Sequence, residues 1–214
     1  VSIDRGDGTF ASGSGFHLRL RRRREGAGMG MQRGGVLLGG APREVSVVVT
    51  CFHVIDGIRS GKATFDAYAS NDSPTWFRLL PSLLLFTDPV RDLAACALEG
   101  GAGVASLPSP ACLLHEQRLL GRKVEMVHHP HSGSKSSSRG HVVLESPPSH
   151  FLHTADGAPG SSGGPILSGG VVIGVASSSN GLMLRPGGRE ETVFQGVFVA
   201  TLLASLSEAG YGAR

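Results

Sequence analysis

The hexapeptide Gly160–Pro165, GSSGGP, decides how this sequence is interpreted. It places two adjacent serines among glycines, between a polar loop and the apolar run GGVVIGVAS. Clusters of Gly, Ser and Pro between periodic segments usually mark turns, so composition alone favours a surface turn. The alternative is that one hydroxyl is a nucleophile, which requires a base and a carboxylate from elsewhere in the chain. The hexapeptide alone does not decide between the two interpretations.

The composition predicts an all-β protein. The 214 residues, 40% of them hydrophobic, can bury the core of one domain or of two small packed domains. The 32 glycines and 12 prolines, with only 6% aromatic residues, favour many short strands joined by turns. Apolar runs such as LLPSLLLF are much shorter than the ~20 residues of a membrane helix, and no signal peptide opens the sequence. We therefore expect neither a membrane span nor secretion.

Strand-like segments fall into two groups. The first group, over residues 1–100, includes EVSVVVTCFHVI and DLAACAL, and the second, over residues 101–214, includes RKVEMVHH, GPILSG and TVFQGVFVA. The Gly-, Pro- and Ser-rich segment EGGAGVASLPSPAC connects them. Near the end, ATLLASLSEAG has apolar residues at helical spacing and stops at Gly210. The sequence therefore predicts two small antiparallel β-barrels and a short C-terminal helix.

Three cysteines cannot form a closed disulfide framework, and none lie at metal-finger spacing. We therefore expect an intracellular protein from a reducing compartment, either the cytosol or an organelle such as a peroxisome, chloroplast or mitochondrion. Cys96 and Cys112 lie in apolar surroundings and are predicted to be core thiols, and Cys51 is predicted to be buried within VVVTCF. None of the three is assigned a chemical role.

The net charge of +3 is unevenly distributed, because Arg19 and Arg21–Arg24 form one basic run followed by the Gly-rich GAGMGMQRGG. Blocks of like charge are usually solvated, which predicts an exposed hairpin loop. The alternative is contact with nucleic acid, but the run lacks interleaved aromatic residues and any known binding module.

Three separated residues supply the partners that a serine nucleophile needs. His53 closes the predicted strand VVVTCFHV, Asp92 opens DLAACAL, and Ser162 lies in GSSGGP, in the chain order His, Asp, Ser. A serine hydroxyl is a weak nucleophile until an imidazole takes its proton, and a buried carboxylate holds the imidazole in the required tautomer. Asp88 is the rival carboxylate, but it precedes a proline in a predicted turn, which favours Asp92.

The glycines of the hexapeptide fit the same chemistry. The backbone N–H groups of Gly160 and Ser162 can point at one spot and stabilise an oxyanion, in a turn too tight for side chains. Gly163 and Gly164 then allow the chain to leave this turn in close packing.

Six motifs occur in order along the chain: GSGF, VVVTCFHVI, RDLAACAL, LLGRKVEMVHHPHSG, SRGHVV and PGSSGGPIL. With these motifs the sequence resembles the trypsin-like peptidases of the two-barrel chymotrypsin fold, and most closely their HtrA/Deg-type branch. The segment GVASSSNG and the ending FQGVFVATLLASL also resemble the peroxisomal leader-peptide-processing proteases, more faintly. The resemblance implies two packed six-stranded antiparallel barrels, with Ser162 as nucleophile, His53 as general base and Asp92 orienting it.

Two departures from the secreted digestive members are informative. Val54 stands where these enzymes have a cysteine after the catalytic histidine, and Ser161 stands where they have an aspartate before the serine. In those relatives the aspartate pairs with a new N-terminus released by zymogen cleavage. Ser161 cannot form this ion pair, so we expect no activation of that kind.

Other polar residues near these motifs carry weaker predictions. His128, His129 and His131 suggest zinc, but no fourth ligand has a convincing spacing, so we predict neither a metal nor a cofactor. Asp156 stands six residues before Ser162, where trypsin-like enzymes place the base of the primary specificity pocket, but it can equally be an exposed turn residue. The better candidates for the pocket wall are three residues of VASSS, on whose edge a substrate strand would add: Ala176, Ser177 and Ser178.

The sequence thus predicts a serine endopeptidase that cleaves polypeptides through an acyl-enzyme intermediate. One alternative is a catalytically silent module of the same fold that binds extended peptides. The other is a basic nucleic-acid-binding protein that uses the Arg19–Arg24 loop, recognisable by steeply salt-dependent binding. The sequence leaves open whether the chain forms a homo-oligomer, and which residue is preferred at the cleavage point.

Overall fold

The computed structural model describes residues 1–22, 44–65, 75–98, 111–114, 118–146, 149–184 and 188–213. Antiparallel strands account for most of this chain, and the predicted all-β, chymotrypsin-like fold is confirmed.

The C-terminal half forms a closed six-stranded antiparallel barrel. Its strands, in the order of their pairing, are β10 (Ser136–Ser146), β11 (His150–His153), β14 (Glu190–Phe198), β13 (Val171–Leu184), β12 (Pro165–Ser168) and β9 (Lys123–His128). Burial alternates along β9, where Val124, Met126 and His128 are buried, as expected for a strand with one face on a core. Phe151 fills the barrel interior and is fully buried.

The N-terminal half consists of two sheets in the part of the chain that the structure describes. The four-stranded sheet has the order β2 (Phe10–Ser12), β1 (Ser2–Asp4), β5 (Ser60–Phe65), β6 (Thr75–Leu79). The five-stranded sheet has the order β15 (Tyr211–Ala213), β3 (Phe16–Arg22), β4 (Glu44–Thr50), β8 (Leu93–Ala97), β7 (Leu84–Asp88). The last strand of the chain therefore pairs with the N-terminal half, which the sequence did not predict.

Strand β4 is central to the packing because both of its faces are buried. Val47 and Val49 contribute to a core shared with the barrel, whereas Val48 faces the core of the N-terminal half. The shared core also contains Val172 and Val197 of the barrel. This continuous apolar contact fixes the two halves against each other, so residues that face each other across it can form one site.

Two α-helices and two 3₁₀ turns complete the described structure. Helix α1 spans Phe52–Ile55, and helix α2 spans Val199–Glu208, where the sequence predicted the C-terminal helix. Val199, Leu202 and Leu206 lie on one face of α2 and join the shared core. The 3₁₀ turns span Pro81–Leu83 and Pro130–Ser132.

Two local predictions were wrong. Arg19, Arg21 and Arg22 lie in strand β3, where the buried Leu18 and Leu20 alternate with Arg19 and Arg21, so this part of the basic run is an alternating strand and not a hairpin loop. Arg23 and Arg24 lie outside the described residues. Cys112 is exposed, whereas Cys51 and Cys96 are buried as predicted.

Candidate active site

His53 and Asp92 form a hydrogen-bonded pair. His53 lies in helix α1, directly after β4, and not in the strand itself as predicted. Its Nδ1 lies 2.9 Å from Oδ1 and 2.8 Å from Oδ2 of Asp92, and its backbone N–H donates to Oδ1 at 3.0 Å. Asp92 occupies the turn before β8 with a left-handed φ of 55°, a conformation that aspartate tolerates better than most residues. The Asp92 carboxylate thus binds Nδ1 of the ring, and Nε2 forms no hydrogen bond with Asp92.

Ser177 also contacts the His53–Asp92 pair. Its hydroxyl donates to Oδ2 of Asp92 at 3.0 Å. Burial acts to raise the pKa of Asp92, but the hydrogen bonds and charge of His53, with the Ser177 bond, outweigh burial and hold that pKa below its usual value. Asp92 is therefore a carboxylate at neutral pH. Asp88, the rival, accepts hydrogen bonds from Arg91 and Ser205 instead.

Ser162 and His53 line the same pocket, which has a volume of about 460 Å³. Ser162 is 8% exposed, and its carbonyl accepts a hydrogen bond from the Ser14 N–H at 2.7 Å. Among the described residues no hydrogen bond joins Ser162 Oγ to His53. Such bonds are often long in unliganded active sites and shorten when substrate binds.

Backbone N–H groups line the pocket beside Ser162. Within the described structure, the N–H groups of Gly160 and Ser162 donate no hydrogen bond, so both can donate to a ligand oxygen. Gly160 has a φ of +92°, and Gly163, at +87°, lies so close to Thr50 and the Ser14 carbonyl that a Cβ would be 2.3 Å from the Thr50 hydroxyl. The turn therefore requires glycine at both positions.

Ser161 makes a neutral hydrogen bond at the position where secreted relatives carry an aspartate. Its Oγ lies 2.5 Å from Nδ1 of His128 and accepts the Ala158 N–H at 2.9 Å. Besides the Ala158 N–H, the Ser161 hydroxyl has a second lone pair and its own proton, so the direction of its hydrogen bond with His128 is set by which nitrogen of that ring carries the proton. Burial first, and the charge of His129 second, lower the pKa of His128, in agreement with a neutral ring.

Part of the pocket lining is apolar. Met126, Ala158 and Phe194 line it, together with Gly157, where a Cβ would approach the Phe194 ring to 3.0 Å. Asp156 is exposed and is not among the lining residues.

The three residues predicted to form the pocket wall belong to strand β13. Ala176 and Ser177 line the pocket, and Ser178 follows them in the strand. Ala176 is fixed to the loop that contains Ser162, because its N–H donates to the Gly164 carbonyl and its carbonyl accepts the Gly163 N–H.

One group of side chains in the described structure has donor atoms close enough to share a metal ion. The donor atoms of Cys51, His53 and Asp92 lie within 4.8 Å of one another. The Cys51 thiol is buried and bonds to Ala176 O at 3.1 Å, and burial, followed by the Asp92 charge, raises its pKa well above the usual value. The thiol is therefore neutral, so it is a poor ligand at ordinary pH. His128, His129 and His131 do not form such a group.

The buried His153 stacks on Phe194, one of the pocket residues, with ring centroids 6.2 Å apart. Burial lowers its pKa from 6.5 to about 4. Between these values the unfolded chain binds one proton more than the folded chain, so stability falls as the pH falls through this window. From pH 7 to pH 5 we expect His153 to cost about 2 kcal/mol of unfolding free energy.

Urea unfolding of the wild type and of His153→Phe at both pH values tests this expectation. The loss on acidification should be smaller in the variant by about that amount, while other titrating groups act equally on both chains. An equal loss in the two chains would show that His153 is not responsible.

In the described part of the chain, no helix is both long and apolar enough to cross a membrane.

Residues 34–175, more than half of the chain, match the trypsin-like peptidase domain. The chain belongs to the trypsin-like peptidase family. This trypsin-like peptidase is a serine-type endopeptidase, and polypeptides are its substrates. The family resemblance predicted from the six motifs is confirmed. A search of curated protein sequences gives no significant match.

Solved protease structures share the fold of this trypsin-like peptidase. The Rv3671c protease from M. tuberculosis in its active form has a TM-score of 0.57 and 20% identity, over 91% of this chain and 81% of that chain. Its inactive form has a TM-score of 0.54 at 20% identity, over 91% and 88%. The serine endoprotease from Yersinia pestis has a TM-score of 0.54 at 13% identity, over 90% and 62%. At these identities the likeness establishes the fold.

Three contacts of the site were not predicted from the sequence. Ser177 was predicted as pocket wall, and its bond to Asp92 was not foreseen. His128 was considered as a zinc ligand, and its bond to Ser161 was not. Ser14 was noted only as part of the GSGF motif. No local pattern indicates these contacts, since each partner lies far away in the sequence.

Proposed function

We propose that this trypsin-like peptidase cleaves peptide bonds through Ser162, His53 and Asp92. The observation that carries the proposal is that a histidine fixed by a carboxylate lines the same pocket as Ser162, beside two backbone N–H groups with no partner in the described structure. These are the parts that acyl transfer requires: a nucleophile, an oriented base and donors for an oxyanion.

In the proposed reaction, His53 Nε2 takes the hydroxyl proton as Ser162 Oγ bonds to the substrate carbonyl carbon. The carbonyl oxygen becomes an oxyanion that accepts hydrogen bonds from the N–H groups of Gly160 and Ser162. The C–N bond then breaks, and the imidazolium returns its proton to the leaving amine. Water repeats these steps on the acyl-enzyme, releasing the acid and restoring Ser162.

Asp92 stabilises the imidazolium that forms in both halves of this cycle. Its carboxylate accepts a hydrogen bond from the Nδ1–H group, which keeps that proton on the ring, so Nε2 is the nitrogen that exchanges protons with Ser162 and the leaving group. Ser177 in turn fixes the carboxylate by its hydrogen bond.

A fluorophosphonate probe tests the proposal because it modifies activated serines. The wild type should be labelled at Ser162, and excess unlabelled peptide substrate should compete. EDTA should leave the labelling rate unchanged, because no step uses a metal. A wild type that binds peptides but resists the probe would instead identify a catalytically silent peptide-binding module.

The apolar pocket supports a preference for a small or medium apolar residue, or a cysteine, before the cleaved bond. The Phe194 ring and Met126 offer apolar contacts to such a side chain, and Asp156 is exposed and lies outside the lining. On a peptide library, wild type and Asp156→Ala should share one apolar profile. Strong cleavage after arginine or lysine that collapses in Asp156→Ala would contradict this expectation, since an unpaired buried carboxylate is costly and would select a cation.

We also propose that the protein works in a reducing compartment. All three cysteines are free thiols in the structure.

A further inference from the structure

We propose that Ser14, on the N-terminal half of the chain, is a positioning residue that holds the proposed oxyanion-binding loop in its active conformation. This inference rests on the proposed function and adds a component to it. Ser14 lies between strands β2 and β3, is 1% exposed, and contacts the loop across the interface between the two halves.

The geometry of three consecutive peptide units carries the inference. In a trans peptide the C=O and N–H groups point in opposite directions, so a fixed carbonyl also fixes the direction of its N–H. The carbonyl of Pro159 accepts the His131 N–H at 2.6 Å, and the N–H of the same peptide belongs to Gly160. The carbonyl of Ser161 accepts the Gly164 N–H at 3.0 Å, and the N–H of that peptide belongs to Ser162.

The peptide unit between these two, which joins Gly160 to Ser161, forms hydrogen bonds through both its carbonyl and its N–H. The Gly160 carbonyl accepts the Ser14 hydroxyl at 2.8 Å, and the Ser161 N–H donates to the Ala158 carbonyl at 2.9 Å. Gly160, with its φ of +92°, lacks the Cβ that restricts rotation in other residues. Rotation about its backbone bonds would turn the proposed N–H donors away from the substrate oxygen. Of the bonds to the three carbonyls, only the one from Ser14 comes from a side chain, so it alone can be removed by substitution.

The hydroxyl, carbonyl and N–H groups of Ser14 all form hydrogen bonds. Its hydroxyl oxygen accepts the His129 N–H at 2.8 Å, its carbonyl accepts the Thr50 hydroxyl at 2.7 Å, and its N–H donates to Ser162 O at 2.7 Å. The hydroxyl therefore joins the β9–β10 connection, through His129, to Gly160 with one proton donated and one accepted. Alanine at this position would leave the Gly160 carbonyl and the His129 N–H without this partner, while the backbone bonds of residue 14 persist.

Kinetics of Ser14→Ala on a fluorogenic peptide test the inference. Removal of an oxyanion donor costs about 10²- to 10³-fold in kcat, so loosening one should lower kcat by about 10- to 100-fold. KM should change by less than about threefold, because the pocket walls that bind substrate are untouched. Affinity for a peptide aldehyde, whose adduct places an oxyanion in the hole, should fall in parallel with kcat. Ser14→Cys, which retains the volume and a weaker donor, should have an intermediate kcat.

Ser205→Ala is the matched control. Ser205 is also buried, its hydroxyl donates to Asp88 at 2.8 Å, and it lies outside the pocket. It should lose stability without losing kcat or aldehyde affinity, which separates positioning from a general loss of stability. A folded Ser14→Ala or Ser14→Cys with wild-type kcat and aldehyde affinity would overturn the role of Ser14 while leaving the proposed function intact. A wild type that neither cleaves peptides nor reacts with fluorophosphonate would overturn both.

Discussion

Replacing Ser162 with alanine is expected to lower kcat by about 10⁴- to 10⁶-fold, by comparison with dissected serine-protease triads. Alanine removes the only atom that bonds to the substrate carbon in the proposed mechanism. The fold should survive, because the described contacts of Ser162 use its backbone carbonyl and not its hydroxyl. Steady-state cleavage of a fluorogenic peptide, with the melting temperature as a check on folding, measures the effect.

Ser161→Ala is the matched control for this substitution, because it removes the neighbouring hydroxyl of the same loop. It loses the bonds to His128 and Ala158, so a moderate loss of stability and activity is expected, far smaller than for Ser162→Ala. If the Ser161 variant were inactive and the Ser162 variant active, the assignment of the nucleophile would be wrong by one residue.

Replacing Asp92 with asparagine is expected to lower kcat by about 10⁴-fold. Asparagine is nearly the same size, but its amide can donate to Nδ1 of His53 and so favours the tautomer with the proton on Nε2. That tautomer cannot accept the Ser162 proton. Reaction with fluorophosphonate should slow in parallel, because the probe needs the same activated hydroxyl.

Asp88→Asn separates the triad carboxylate from its sequence neighbour. Asp88 pairs with Arg91 at 2.9 Å, so its replacement should reduce thermal stability and leave kcat nearly unchanged. If Asp88→Asn lost activity and Asp92→Asn retained it, Asp88 would be the functional carboxylate despite the geometry.

The proposed triad could be formulated from the sequence because each of its residues lies in a short motif and the three motifs have a known order. Asp92 could be preferred over Asp88 from the proline that follows Asp88. The structure gives the physical reason for the preference: Asp88 is already paired with Arg91, whereas Asp92 receives both the ring and the backbone N–H of His53.

The supporting contacts could not be predicted, because they depend on how the two halves pack. Ser177 reaches Asp92 across 85 residues of sequence, and Ser14 reaches Gly160 across 146. A serine that meets a distant carboxylate looks like any other serine in a strand. These contacts form because the shared core holds the two halves of the chain together, which brings Ser177 to Asp92 and Ser14 to Gly160.

The basic run shows a different kind of error. Charge alone predicted a solvated loop, but LRLRR also alternates with a period of two, and Leu18 and Leu20 are fully buried. The burial of two leucines outweighed the tendency of arginines to lie in loops, because the arginines on the opposite positions of a strand remain in contact with water.

The pairing of β15 with β3 means that the five-stranded sheet takes one of its edge strands from the last described residues of the chain. The sheet whose strands β4 and β8 carry the segments of His53 and Asp92 takes its edge strand from Tyr211–Ala213. A ribosome-bound chain that has emerged only as far as Ser162 holds all three reactive side chains but not the strand that covers this edge. Proteins fold as their segments emerge from the ribosome, so the complete sheet forms only after residue 213 has left the exit tunnel.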